Sequence, residues 1–161
     1  MKIEKLKNKD VSGVVRIHRD CISKTNSLVY PSDVITKWVS QVTEHKVQNQ
    51  LDDSNWHVIK EGGIIVGFCQ YDLNSGELCQ IQVSPEYQGK GYGRSLYDFI
   101  EDNFKTCKET KIVLNSTLNA VLFYEKMGFK QINNIAFPLD HSITINMIKM
   151  EKQLPKDFSA I

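Results

Sequence analysis

The chain has 161 residues, enough for one domain that buries about two thirds of its unfolded surface. With 41% hydrophobic and 24% charged side chains, its composition excludes a disordered chain. Twenty basic against nineteen acidic residues leave a net charge of +1, which gives no electrostatic case for nucleic acid or a membrane surface and points to a small, locally steered ligand.

Met1 to Lys7 is charged and has no apolar centre, so no secretory signal is expected and a cytoplasmic location is. Residues 2–6 predict a first strand. Asp10 is placed to cap a helix running through Val11, Val14, Val15, Ile17, His18, Cys21 and Ile22, with Gly13 weakening it slightly. Thr25-Asn26-Ser27 breaks that pattern. Pro31 then falls near the first turn of a second helix with Val34, Ile35, Trp38, Val39 and Val42 on one face. Residues 48–55 are polar and predict a loop.

Glu61-Gly62-Gly63 separates two strand-like runs, 56–60 and 64–71, as a hairpin would. The apolar run 64–69 is far too short to span a bilayer. Asn74-Ser75-Gly76 turns the chain into Glu77-Leu78-Cys79-Gln80-Ile81-Gln82-Val83, which alternates in the two-residue period of a half-buried strand. A helix over 91–105 follows, with Leu96, Phe99, Ile100 and Phe104 at helical spacing, then a short strand at 112–114. A short helix begins at Asn119, with Leu118, Val121 and Leu122 as its apolar stripe and Gly128 where a C-terminal glycine belongs. Strands near 129–135 and 143–150 close the domain, 1–154, and 155–161 reads as a tail. This order predicts an α/β protein, a mixed three-layer α/β/α arrangement of about seven strands and about four helices. The four cysteines lack a Cys-x-x-Cys spacing and the four histidines match no zinc pattern, so reduced thiols and no metal are expected.

Gln88-Gly89-Lys90-Gly91-Tyr92-Gly93 stands between the strand and the long helix. A glycine-rich turn opening a helix presents first-turn N–H groups and the positive end of the macrodipole, which together suit a pyrophosphate. The Walker pattern is absent, because Gly91 and not Ser or Thr follows Lys90. The dinucleotide fingerprint is absent too, because Arg94 or Leu96 stands where its third glycine belongs.

A second segment, Asn119 to Phe129, joins that loop. Together they resemble the GNAT superfamily of acyl-CoA-dependent N-acetyltransferases. The superfamily's signature of Gln or Arg, two residues, Gly, one residue, and Gly or Ala is matched by Gln88, Gly91 and Gly93. Its Asn, Phe-Tyr and Gly-Phe elements are matched by Asn119, Phe123, Tyr124, Gly128 and Phe129. The resemblance spans roughly residues 56–150. It implies a GNAT-like central mixed sheet with the strands at Glu77 and Ile112 parallel and splayed, acetyl-CoA as cosubstrate, and a small-molecule or peptide amine as acceptor. The oligomeric state, monomer or homodimer, is left open.

Acetyl transfer to an amine requires a held cofactor, a deprotonated amine and a stabilised thiolate. For holding, the candidates are the backbone around Gln88, Gly89, Lys90, Gly91, Tyr92 and Gly93, charge from Lys90 and Arg94, and strand-edge groups at Ile81 and Val83. Asn119 either caps its helix or contacts the cofactor, or does both. A thiol near about 8.5 and a phenol near about 10 can share a proton, so Tyr124, which matches the usual general acid of the superfamily, is the leaving-group candidate. Glu77 matches the strand glutamate that serves as base in histone-type members, with His57 as a weaker base. Cys79 shares the strand face of Glu77 and opens a ping-pong route, and Cys69 is placed roughly opposite it. Tyr30, Asp33 and Trp38 are candidates for the acceptor pocket. The rival readings are a non-catalytic acyl-CoA-binding or sensing module and a nucleotide-phosphate binder.

Overall fold

A computed structural model describes residues 1–156; the last residues of the expected tail, 157–161, lie outside the described residues. The elements are β1 (Lys2–Lys5), α1 (Val11–Lys24), α2 (Ser32–Gln41), α3 (Glu44–Gln50), β2 (Asn55–Glu61), β3 (Ile64–Asp72), β4 (Glu77–Val83), α4 (Tyr92–Thr106), β5 (Lys111–Thr117), α5 (Val121–Lys126), β6 (Lys130–Pro138) and β7 (Thr144–Gln153). The strands form one seven-stranded sheet in the order β1-β2-β3-β4-β5-β7-β6. One core, with Val14, Ile17, Trp38 and Phe68, lies under α1 to α3. The other, with Leu96, Ile100, Phe104, Ile112 and Tyr124, lies under α4 and α5. The sheet therefore carries a helix layer on each face, as the alternation of strand and helix periods predicts. No helix among the described residues is long and apolar enough to cross a membrane.

The hairpin between β2 and β3 is a two-residue turn with Gly62 at φ +57° and Gly63 at φ +81°, a conformation open to glycine at both positions. Elsewhere the structure corrects the local reading. Residues 44–50 are helical, where a loop was expected from 48 onward. The Thr43 side chain accepts the Lys46 backbone N–H at 3.3 Å, and Val47 anchors α3 in the core. A cap and one apolar contact thus outweigh a polar sequence. Asp10 does not cap α1 through its side chain. Its carboxylate lies 3.6 Å from Lys60 Nζ, which Glu4 also reaches at 2.7 Å, so a largely covered lysine on β2 draws both carboxylates. Leu118 and Leu122 do not face the core. A 3-10 turn over Leu118–Ala120 precedes α5 and shifts its phase, so that Tyr124 is buried and Leu122 is 72% exposed.

One relationship in the sheet places the site. β4 and β5 run parallel but pair only at Glu77 and Val113, with the Val113 N–H donating to the Gly76 carbonyl at 3.0 Å. Beyond this pair β4 stays with β3 and β5 stays with β7, from Lys111↔Gln153 to Thr117↔Met147. The two strands therefore diverge as a fork. A β-bulge interrupts the β3–β4 ladder, where Gln70 pairs with Gln80 and Tyr71 with Leu78, leaving Cys79 unpaired in the wall of the fork.

Candidate active site

The fork opens into a cleft of about 560 Å³ lined by β4, the end of β5, the glycine turn and α5. Gly89 at φ +76° and Gly91 at φ +91° set the turn at its mouth, and Gly91 is the N-cap of α4. A Cβ on either would meet nothing within 4 Å, so the requirement there is conformational. No side chain caps the helix, and the N–H groups of Tyr92, Gly93 and Arg94 have no intrahelical partner. Free donors at the start of a fifteen-residue helix are the kind of group that suits an anion. At Gly93 a Cβ would lie in van der Waals contact with the Phe123 ring, at 3.4 Å.

The side chains of the turn are mostly occupied elsewhere. Lys90 Nζ stands 5.3 Å from the centre of the Tyr87 ring. Arg94 Nε donates to Asp98 at 3.1 Å on the exposed helix surface, and the Tyr92 hydroxyl donates to Glu61 at 3.2 Å. Gln88 Nε2 donates to the Val83 carbonyl at 3.0 Å, tying the turn to the end of β4. Because the Ser84 N–H bonds across the ladder to Val66, the Val83 carbonyl on the opposite side of that peptide plane faces the open edge. Cys21 Sγ donates to the same carbonyl at 3.1 Å. Val83 thus spends its acceptor within the protein, whereas Ile81 turns the same edge outward by the two-residue repeat.

Tyr124 lies in the inner wall, where only 6% of its surface is exposed. Its ring stands edge-on to Phe123 at 5.1 Å and to Phe129 at 5.6 Å, and its hydroxyl has no hydrogen-bond partner among the described residues. Burial pushes its pKa up, so the phenol keeps its proton at neutral pH. Asn119 lines the cleft from the turn before α5 and makes no capping bond, so of the two roles considered for it capping is not used.

Glu77 stands at the closed end of the fork and is not among the residues lining the cleft. Its charge reaches the Cys79 thiol, which is pushed up to about 12 by burial first and by Glu77 and Asp72 next. A thiol held there is a poor nucleophile at neutral pH. The register pairs Cys69 with Ile81, not with Cys79, and Cys69 is fully buried. His57 packs between Tyr71 and Phe99 outside the cleft, with its pKa lowered by burial and then by Lys5.

Of the acceptor-side candidates, Trp38 lines the cleft. Tyr30 stands edge-on to it at 5.5 Å and uses its hydroxyl on backbone groups, while Asp33 is exposed in the first turn of α2. His18 is a cleft residue beyond those expected from the sequence. It falls at i+4 from Val14 on the apolar stripe of α1, lines the cleft, has no hydrogen-bond partner among the described residues, and is pushed down to about 4 by burial. A polar residue on that stripe was the available signal.

A family model described as an acetyltransferase (GNAT) domain matches residues 25–154. A GCN5-related N-acetyltransferase from Rhodopseudomonas palustris superposes with a TM-score of 0.89 at 19% identity, over 95% of each chain. The PaiA N-acetyltransferase of Thermoplasma acidophilum, solved with coenzyme A, gives 0.79 at 22% identity, over 95% of this chain and 98% of that one. The ribosomal-protein-S18-alanine N-acetyltransferase of Escherichia coli gives 0.68 at 18% identity, over 99% and 97%. These likenesses show the fold. No curated protein matches the chain at a significant level.

Proposed function

This chain belongs to the GNAT acetyltransferase family, and we propose that it transfers an acetyl group from acetyl-CoA to a primary amine by direct attack in a ternary complex. The observation that carries the reading is the cleft itself, with free helix N–H groups at its mouth and a protonated, unpartnered phenol in its inner wall. Acetyl-CoA supplies the activated acyl carbon. The N–H groups of Tyr92, Gly93 and Arg94 hold its pyrophosphate, with the backbone of Gln88 to Gly91 closing around it. The edge of β4 at Ile81 offers hydrogen bonds to an extended arm, and Asn119 faces that arm from the opposite wall.

Tyr124 gives the departing sulfur a hydrogen bond and then its proton. Because its pKa is raised, the bond forms before full transfer, and the phenol stays loaded through neutral pH. The ammonium of the acceptor must lose a proton. Glu77 is the acceptor proposed for that proton, reached through water, since it stands at the closed end of the fork and is not among the residues lining the cleft. The raised thiol of Cys79 disfavours an acetyl-cysteine route.

Thermal unfolding with acetyl-CoA, paired with thiol detection of released CoA across an amine panel, tests the reading. Acetyl-CoA should raise Tm by linkage, and CoA should appear only with an amine present. An unchanged Tm at millimolar acetyl-CoA overturns cofactor use. Binding without CoA release from any amine leaves an acyl-CoA-binding module instead.

A further inference from the structure

A second chamber of about 270 Å³ adjoins the cleft. His18, Trp38, Gln80 and Met147 border both, so an imidazole, an indole, an amide and a thioether stand between the two spaces. The chamber lies between the helices α1 to α3 and the sheet, walled by Val47, Trp56, Phe68, Phe137 and Ile145.

Its charge character is specific. Among the described residues no Asp or Glu lines either the cleft or the chamber. The sheet side carries a neutral amide ladder, in which Gln82 donates to Gln80 at 3.3 Å, Gln80 to Gln70 at 2.9 Å, and Gln70 to Ser54 at 2.9 Å. These bonds hold the glutamine side chains along the wall without bringing in charge. Among the described lining residues the cations are Lys46 on α3 and Arg94 at the cleft mouth, and His18 is uncharged at neutral pH.

We infer that the chamber holds the body of the acceptor, and that the acceptor is a small monoamine whose body is an aromatic ring or a branched alkyl group with no second positive charge. The inference rests on the acetyl-transfer reading above. A volume of about 270 Å³ falls just below the range of about 300–1,000 Å³ typical of drug-sized ligands, so it suits one ring and not an aminoglycoside. A polyamine would bring further ammonium groups beside Lys46 into a half-open space, mostly apolar, whose described lining holds no carboxylate to pair with them. An apolar body seated against Trp56 and Phe68 brings its amine to the shared border, where the neutral His18 ring and the Gln80 amide oxygen can accept its N–H groups as it faces the acyl carbon.

The test is steady-state CoA release with 2-phenylethylamine, 3-methylbutylamine, ethylamine, spermidine and kanamycin, alongside the acetyl-CoA thermal shift. The expected result is kcat/KM for the first two amines about tenfold or more above ethylamine and further above spermidine. Val47→Phe, which fills the chamber, should lower the ratio of 2-phenylethylamine to ethylamine about tenfold. Because a larger side chain can disturb α3, Lys46→Glu at an exposed position is its companion, and should lower KM for 1,5-diaminopentane about fivefold by adding the missing carboxylate. Spermidine or kanamycin turned over as efficiently as 2-phenylethylamine overturns the inference and leaves amine acetylation standing. A thermal shift with no CoA released from any amine overturns acetylation and the inference together.

Discussion

Tyr30 and Leu118 are joined across 88 residues of chain: the Tyr30 hydroxyl accepts the Leu118 backbone N–H at 3.0 Å and donates to the Asn146 carbonyl at 2.6 Å. The segment before α2 thereby fixes the turn from which α5, and with it Tyr124, departs. Tyr30→Phe removes both bonds while keeping the ring against Trp38. Stability should fall by about 1 kcal/mol, a loss of about 2–4 °C in Tm for a domain of this size, and the acceptor KM should rise more than kcat falls. Equal urea midpoints for the two proteins would deny the bridge any stabilising part.

Tyr124→Phe keeps the edge-on packing on Phe123 and Phe129 and deletes the acid. Turnover should fall about 100-fold, within the usual contribution of a general acid, with little change in acetyl-CoA KM. A kcat equal to wild type would remove Tyr124 from the mechanism.

Gly91→Ala forces a side chain into the left-handed region at φ +91°, at a cost of about 1–2 kcal/mol. Since the new Cβ would meet nothing within 4 Å, relief comes by rotating the turn away from this φ, which misaims the free N–H groups of α4. Titration calorimetry should show weaker acetyl-CoA binding together with a lower Tm. Wild-type affinity would mean that the turn does not hold the phosphates.

Gly67→Ala acts by space alone. Its Cβ would lie 2.8 Å from the Gln82 carbonyl oxygen and 3.1 Å from Ile59 Cγ2, so β3 and β4 must part. The cost should be about 1–3 kcal/mol, as for other overpacked interiors, read from the urea midpoint. No shift in that midpoint would show that the ladder relaxes freely at this place.

His18 makes stability fall with acidity. From about pH 6.5, where an unfolded histidine titrates, down to about 4, the unfolded chain binds a proton that the folded chain refuses because burial holds the ring neutral. The contribution is complete above the upper value and is lost as pH falls through the lower one. It should amount to on the order of 2 kcal/mol, reduced from the full shift because the ring borders a water-accessible cleft. His18→Gln should flatten urea midpoints measured between pH 7 and 5. An equal slope in both proteins would assign the acid sensitivity elsewhere.

Features specified by neighbouring residues were legible in the sequence. The Gly62-Gly63 hairpin, the turn before α4 and the short helix ending at Gly128 each depend on residues within a few positions of one another. The splayed pair of strands came from family resemblance, since no local pattern announces that two strands part after one residue. α3 escaped notice because one threonine cap and one valine anchor specify it, too little for a periodic signal. The Cys79 bulge is a fault in register and has no period of its own. The border between cleft and chamber was illegible for a different reason: His18, Trp38, Gln80 and Met147 come from four distant segments and become neighbours only when α1, α2, β4 and β7 converge.

Past the Glu77–Val113 pair, β4 and β5 each turn a row of backbone groups toward a gap that no strand among the described residues fills. On the proposed reading, an extended, amide-bearing arm laid there would complete the sheet as a guest strand and take part of its affinity from main-chain bonds that no side-chain substitution can remove. Hydrogen exchange offers a direct view of this: amides along the inner edges of the fork should exchange fast in the free protein and slow on cofactor binding, while β2 and β3, already paired on both sides, keep their protection throughout.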